Sequence, residues 1–187
     1  MKYIAKGLVE QGSTEHILKI QGGHTFQLTG IQAGLWFNGR FGFAKAEENN
    51  HWHRKELRHL QRMGQAEVTE DSSGGEYRAL TQCVLIPAKS GKLRLPLNKQ
   101  EAQTLQWLQE AGLHLTMAEL VFLEEHGVKP VPELLGEENS QALTETIYTQ
   151  ENIQDNVLEA QMEHAFCRDC VVKAVLGLLK KRRVLVL

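Results

Sequence analysis

Five side chains between His51 and Arg62 have the types and the spacing to hold phosphate. On a helix advancing about 100° per residue, with Trp52 at zero, His51, Arg54, Lys55, Arg58 and Arg62 fall between roughly 200° and 300°. Arginine forks onto phosphate and reads guanine edges in the major groove. A cationic stripe of this kind is the electrostatic footprint of a nucleic-acid backbone. The competing reading of the same residues is a solvated helix face whose charges pair with Glu47, Glu48 or Glu56. On the opposite side Trp52, Leu57, Leu60 and Met63 form an apolar stripe, expected to face a core.

His164-x-x-Cys167-x-x-Cys170 is the one metal-like grouping in the sequence. On one helix these side chains spread over about 120°, so neighbours could share an ion but the three together would do so poorly. Structural zinc asks for four ligands, and CxxC pairs sit on turns rather than inside helices. Cys167 also falls on the apolar side of its helix, where a free cysteine acts as a small hydrophobe. The expectation is therefore no metal and no cofactor, with these three as the candidates should an ion bind. His51-x-His53 points in two directions about 200° apart on a helix, and histidines 16, 24, 59, 114 and 126 form no set. No glycine pattern matches a dinucleotide or P-loop signature, and Gly39-Arg40-Phe41-Gly42 does not read as a phosphate loop. No Ser-His-Asp or Cys-His order carries a local signature. The chain is expected not to be an enzyme.

The elements that must position the stripe are legible from periodicity and punctuation. Tyr3 to Glu10 and His16 to Gln21 read as strands around a Gln11–Thr14 turn, and Thr25 to Leu28 as a third. Thr29 is a candidate N-cap for a helix through Leu35, Trp36 and Phe37 that ends at Asn38-Gly39. Glu47 to Asn50 offers caps for the basic helix, and Gly64 closes it. Val68-Thr69 begins an extended segment, Ser72 to Gly75 supplies a turn tolerant of positive φ, and Tyr77 to Ile86 returns as a second strand. Residues 87–97, with two prolines and no helical period, read as a linker. Asn98 with Glu101 and Thr116 with Glu119 are capping boxes opening two helices that close at Gly112 and Gly127. Residues 137–152 are polar. Ile153 to His164 and Phe166 to Leu179 read as two helices, the second apolar over most of its circumference and so well buried. Lys180 to Arg183 suits the negative end of that helix, and Val184 to Leu187 is a terminal strand.

The order helix, basic helix, strand, turn, strand resembles the DNA-reading half of a winged-helix domain. The resemblance is one of element order and covers residues 28–86, with a second, degenerate match over 113–187. It implies that helix 51–63 lies in a major groove. The acidic tip Glu70-Asp71-Ser72-Ser73 departs from the pattern, because a wing that grips phosphate is normally basic. The expected fold class is helix-rich α+β: an N-terminal β-hairpin or meander (1–27), a winged-helix-like unit (28–86), a linker (87–97) and a helical C-terminal unit (98–187). That last unit ends in a strand and reads as a second helix-helix-strand copy.

Composition bounds the function. Across 187 residues the formal net charge is −2, so any hold on nucleic acid must come from a local patch. Three cysteines do not make a disulfide framework, and a reducing cytoplasm is the expected compartment. Met1 to Gly7 lacks the apolar core of a signal peptide, and no apolar run is long enough to cross a membrane. Two functions fit: a protein-interaction adaptor built on winged-helix-like units, with a protein partner or self-association, and a transcriptional regulator holding duplex DNA through helix 51–63. The acidic tip, the near-neutral charge and the buried-looking C-terminal helix favour the adaptor, which is the expected function, and the basic stripe favours the DNA alternative.

Overall fold

Alternation along Tyr3-Ile4-Ala5 organises the fold. In the computed structural model Tyr3 and Ala5 fill one hydrophobic core while Ile4, on the other face of the same strand, fills a second. Residues 1–9, 16–19, 25–88, 95–112, 115–131, 141–142 and 162–187 are described, with the backbone alone at 16–19, 73 and 162–166. The elements are β1 (Lys2–Ala5), β2 (Leu8–Val9), β3 (His16–Lys19), β4 (Thr25–Leu28), α1 (Gly30–Gly39), β5 (Ala44–Lys45) and α2 (His51–Arg62). They continue with β6 (Ala66–Thr69), α3 (Ser73–Thr81), β7 (Leu85–Pro87), α4 (Lys99–Ala111), α5 (Met117–His126), α6 (Met162–Lys180) and β8 (Val184–Val186). The described residues form a mixed α+β protein with six helices and small antiparallel sheets.

Three sheets carry the strands: β5-β1-β6, β2-β3-β4 and β7-β8. The single strand expected from Tyr3 to Glu10 is broken in two. Gly7 takes φ +115, open to glycine and costly to other residues, and the chain leaves one sheet for the next there. β1 runs antiparallel between β5 and β6, with Tyr3 opposite both Ala44 and Val68. α1 and α2 cover its Tyr3/Ala5 face, where Leu28, Leu35, Trp36, Leu57 and Leu60 complete the first core. The Tyr3 hydroxyl donates to Leu35 O at 2.8 Å, and Trp36 Nε1 donates to Lys6 O at 2.8 Å, so both large side chains have satisfied polar ends. A Cβ on Gly39 would come 3.0 Å from the Ala5 nitrogen and 2.7 Å from the Tyr3 ring, so α1 meets β1 there only as glycine.

The second core joins Ile4, Leu80 and Leu85 to α4, α5, α6 and β8. Both expected capping boxes are present, Asn98 with Glu101 and Thr116 with Glu119, and Gly127 ends α5 in the left-handed conformation. Burial pushes the Glu101 carboxyl up, but the Lys181 ammonium and the Asn98 backbone N–H more than reverse this and leave it below its usual range. Gly177 of α6 makes room for that carboxylate. A Cβ there would collide with Glu101 Oε1 and fall 3.1 Å from its Cδ. The expected Gln11–Thr14 turn and most of 137–152 lie outside the described residues, as does Ile153 to Gln161. From Met162 one helix runs unbroken to Lys180, so the separate helix expected from Phe166 is part of it.

The wing is corrected. Tyr77 to Thr81, expected within a strand, belongs to α3, and only Leu85–Pro87 is extended. Ser72 caps α3 by accepting from Gly75 N at 3.0 Å, and neither Gly74 nor Gly75 has positive φ. Gly75 is there for close approach, since a Cβ would sit 2.7 Å from Thr69 Oγ1. Within the exposed acidic tip, Asp71 is held by cations. Asp71 accepts from Lys2 Nζ at 2.8 Å and also pairs with Lys45, while Glu76 takes Lys2 at 2.5 Å. Those ammonium hydrogen bonds, Lys2 first, hold the Asp71 carboxyl at about 2 against an ordinary 3.8. A folded-state value below the unfolded one means stabilisation that is present above pH 3.8 and lost as the pH falls towards 2. Asp71→Asn should therefore lower the melting temperature at neutral pH and flatten its decline in that acid window. Circular dichroism melts across the window check this, and parallel curves for parent and variant would refute it.

Candidate nucleic-acid interface

α2 is placed by its caps and its two inward leucines. The Asn50 side chain accepts from Trp52 N at 3.0 Å and His53 N at 3.3 Å, satisfying two of the free N–H groups of the first turn. Leu57 and Leu60 are fully buried against α1 and β1, and Met63 packs at the edge of the same core. Gly64, at φ +68, turns the chain into β6. This fixes the rotation of the helix, so the opposite side must face solvent.

His51, Arg54, Lys55, Arg58 and Arg62 are all exposed, and together they line an open depression of about 290 Å³. The five residues grouped by helical spacing are thus brought together on one surface. The pairing alternative is not what the geometry shows. Glu56 accepts from Gln32 Nε2 at 2.6 Å, Glu48 holds the chain's amino terminus, and Glu47 accepts from Asn50 Nδ2 at 3.3 Å. Among the described residues no carboxylate pairs with Arg54, Lys55, Arg58 or Arg62.

Trp52 is a correction. Counted in the apolar stripe, it is 57% exposed. Side chains on a helix lean back towards its N-terminus, so a residue in the first turn overhangs the end of the helix rather than its body. Trp52 instead borders the cationic face. Lys55 Nζ lies 5.3 Å from its ring centroid, and His51 meets it edge-on at 5.8 Å. Its place in the first turn was the available signal.

The metal-like residues behave differently. Cys167 and Cys170 are half-buried, and burial pushes the Cys167 thiol up to about 11, away from the thiolate a metal needs. The side chain of His164 lies outside the described residues. Among the described residues no three of His, Cys, Asp and Glu converge as a metal site. Among them, too, no helix is long and apolar enough to cross a membrane. No family model, no curated protein and no solved structure matches this chain.

Proposed function

We propose that this protein binds duplex nucleic acid through the exposed face of α2. The observation that carries the reading is that four permanent cations and His51 share one solvent face while the nearby carboxylates are engaged elsewhere. A cation without a protein partner keeps its full charge for phosphate. The element order α1, α2, β6 supports reading the frame as winged-helix-like, although α3 stands where the wing would return. A recognition helix without a wing rests its phosphate contacts on the helix alone, so modest affinity and strong salt dependence follow. Four phosphate contacts imply a salt exponent of about −3.6, or roughly a hundredfold loss of affinity between about 50 and 200 mM salt.

Fluorescence anisotropy with a labelled duplex tests this directly. Replacing Arg54, Arg58 and Arg62 by alanine should abolish most low-salt binding and cut the exponent by about 2.7. Parent affinity that ignores salt, or a triple variant that binds like the parent, would sink the reading.

A second reading is the non-enzymatic adaptor, with a protein partner or a second copy of the chain. Ile31, Phe37 and Trp52 favour it, being large apolar side chains left substantially exposed on α1 and α2. Under that reading Trp52→Ala abolishes association while the triple arginine variant leaves it intact.

A further inference from the structure

Arg40 and Arg182 come from opposite parts of the chain and both lie against one aromatic ring, that of Phe41. Arg40 ends α1, and its guanidinium carbon lies 5.0 Å from the Trp36 ring centroid and 5.1 Å from that of Phe41. Arg182 sits in the turn between α6 and β8, its guanidinium carbon 4.7 Å from the same Phe41 ring. Among the described residues no carboxylate pairs with either arginine. Two like charges therefore share one ring with no counter-charge from the described residues. Burial, and then the Arg182 charge, pull the Arg40 value below its usual range. Arg40 Nε is buried without a hydrogen-bond partner.

The backbone shows the same tension. Arg182 has φ +56, the only positive φ at a non-glycine among the described residues. Such conformations cost energy and persist where the surroundings enforce them, often at ligand sites. Here the enforcing surroundings are α6, which ends at Lys180, and β8, which must start at Val184 to pair with β7.

Stacking uses the flat face of a guanidinium and leaves its in-plane N–H groups free for an acceptor. Two such forks around one ring offer more donors than a carboxylate, with two oxygens, can accept. A tetrahedral dianion fits better, because one arginine can take two oxygens and the second another. We propose that Arg40 and Arg182, stacked on Phe41, form a receptor for a phosphate group. The group is supplied free, as inorganic phosphate or a small phosphomonoester, because a nucleic-acid backbone phosphate is a monoanionic diester with only two non-bridging oxygens. This site is separate from the α2 face and stands without it.

Inorganic phosphate is the probe, titrated into the full chain against chloride at matched ionic strength and followed by calorimetry and thermal melting. The parent should bind saturably, and phosphate should raise its melting temperature, since a ligand of the native state stabilises it. Arg182→Gln keeps the backbone as it is and removes one fork. It should weaken phosphate binding at least tenfold, while its melting temperature in chloride stays no lower than the parent's because a repulsion has gone. The variant lacking Arg54, Arg58 and Arg62 should bind phosphate like the parent. No saturable binding, unchanged affinity in Arg182→Gln, or loss in the α2 variant instead would each overturn the proposal. With a labelled duplex, Arg182→Gln should leave the salt exponent unchanged, and an exponent reduced by about one would assign the site to a backbone diester and overturn the dianion.

Discussion

A chain stopped at Arg183 is expected to be insoluble or to melt far below the parent. β8 pairs antiparallel with β7, with Leu85 opposite Val186 and Pro87 opposite Val184. Val184 is fully buried and Val186 nearly so. Each such side chain gains about 1.5–3 kcal/mol on burial. The backbone adds to this. Val84 and Leu187 exchange two hydrogen bonds at 2.8 and 2.9 Å, and Gly7 N donates to Val186 O at 2.8 Å. Removing the partners strands buried donors and acceptors at about 1–3 kcal/mol each. The combined loss, on the order of 5–10 kcal/mol, is comparable with the whole stability of an ordinary domain. Soluble yield and a circular dichroism melt of the truncated protein decide the matter, and a parent-like melt would show that β8 is dispensable.

That a strand lies here was legible, because an apolar tetrapeptide after a basic turn has few other homes. Its partner was not. β8 pairs with β7, from the segment read as the far side of a wing, and takes one further bond from Gly7. Strand existence is a local property of side chains, whereas pairing is decided by which edge the finished packing leaves open. The same division separates success from failure elsewhere. The capping boxes at Asn98 and Thr116 are local chemistry, and both were readable. The inward turn of Leu57 and Leu60, and with it the outward turn of Arg54, Arg58 and Arg62, followed from period alone. α3 was missed because Ser72-Ser73-Gly74-Gly75 satisfies turn statistics as well as it satisfies an N-cap. The deciding fact is a non-local one: Leu80 is needed in the second core. The receptor at Arg40 and Arg182 left no trace in either local sequence, since the residues are far apart in the chain and only the fold lays both on Phe41.

Gly177→Ala is expected to destabilise the protein, against the ordinary rule for helix interiors. Glycine inside a helix costs about 1 kcal/mol relative to alanine, so on an exposed surface this change would stabilise. In α6 the new methyl would occupy the place of the Glu101 carboxylate. That carboxylate is buried, accepts from Asn98 N at 2.8 Å to close the capping box of α4, and pairs with Lys181. Expelling it forfeits charge-assisted hydrogen bonds worth roughly 1.5–3 kcal/mol each. The net change should be a loss of about 2–5 kcal/mol after the helix-propensity gain is subtracted. Glu101→Ala alone should also destabilise, because it leaves the Asn98 backbone N–H without its acceptor, opening one half of the capping box, and leaves Lys181 without its partner. In the Glu101→Ala background the collision is gone, so adding Gly177→Ala should recover about 0.5–1 kcal/mol. A change of sign between the two backgrounds is the signature of direct contact, and a double-mutant cycle by urea unfolding reads it. If Gly177→Ala costs the same with and without Glu101, the glycine serves the bending or packing of α6 by some other route. The coupling between the start of α4 and the end of α6 would then rest on the Glu101–Lys181 pair alone.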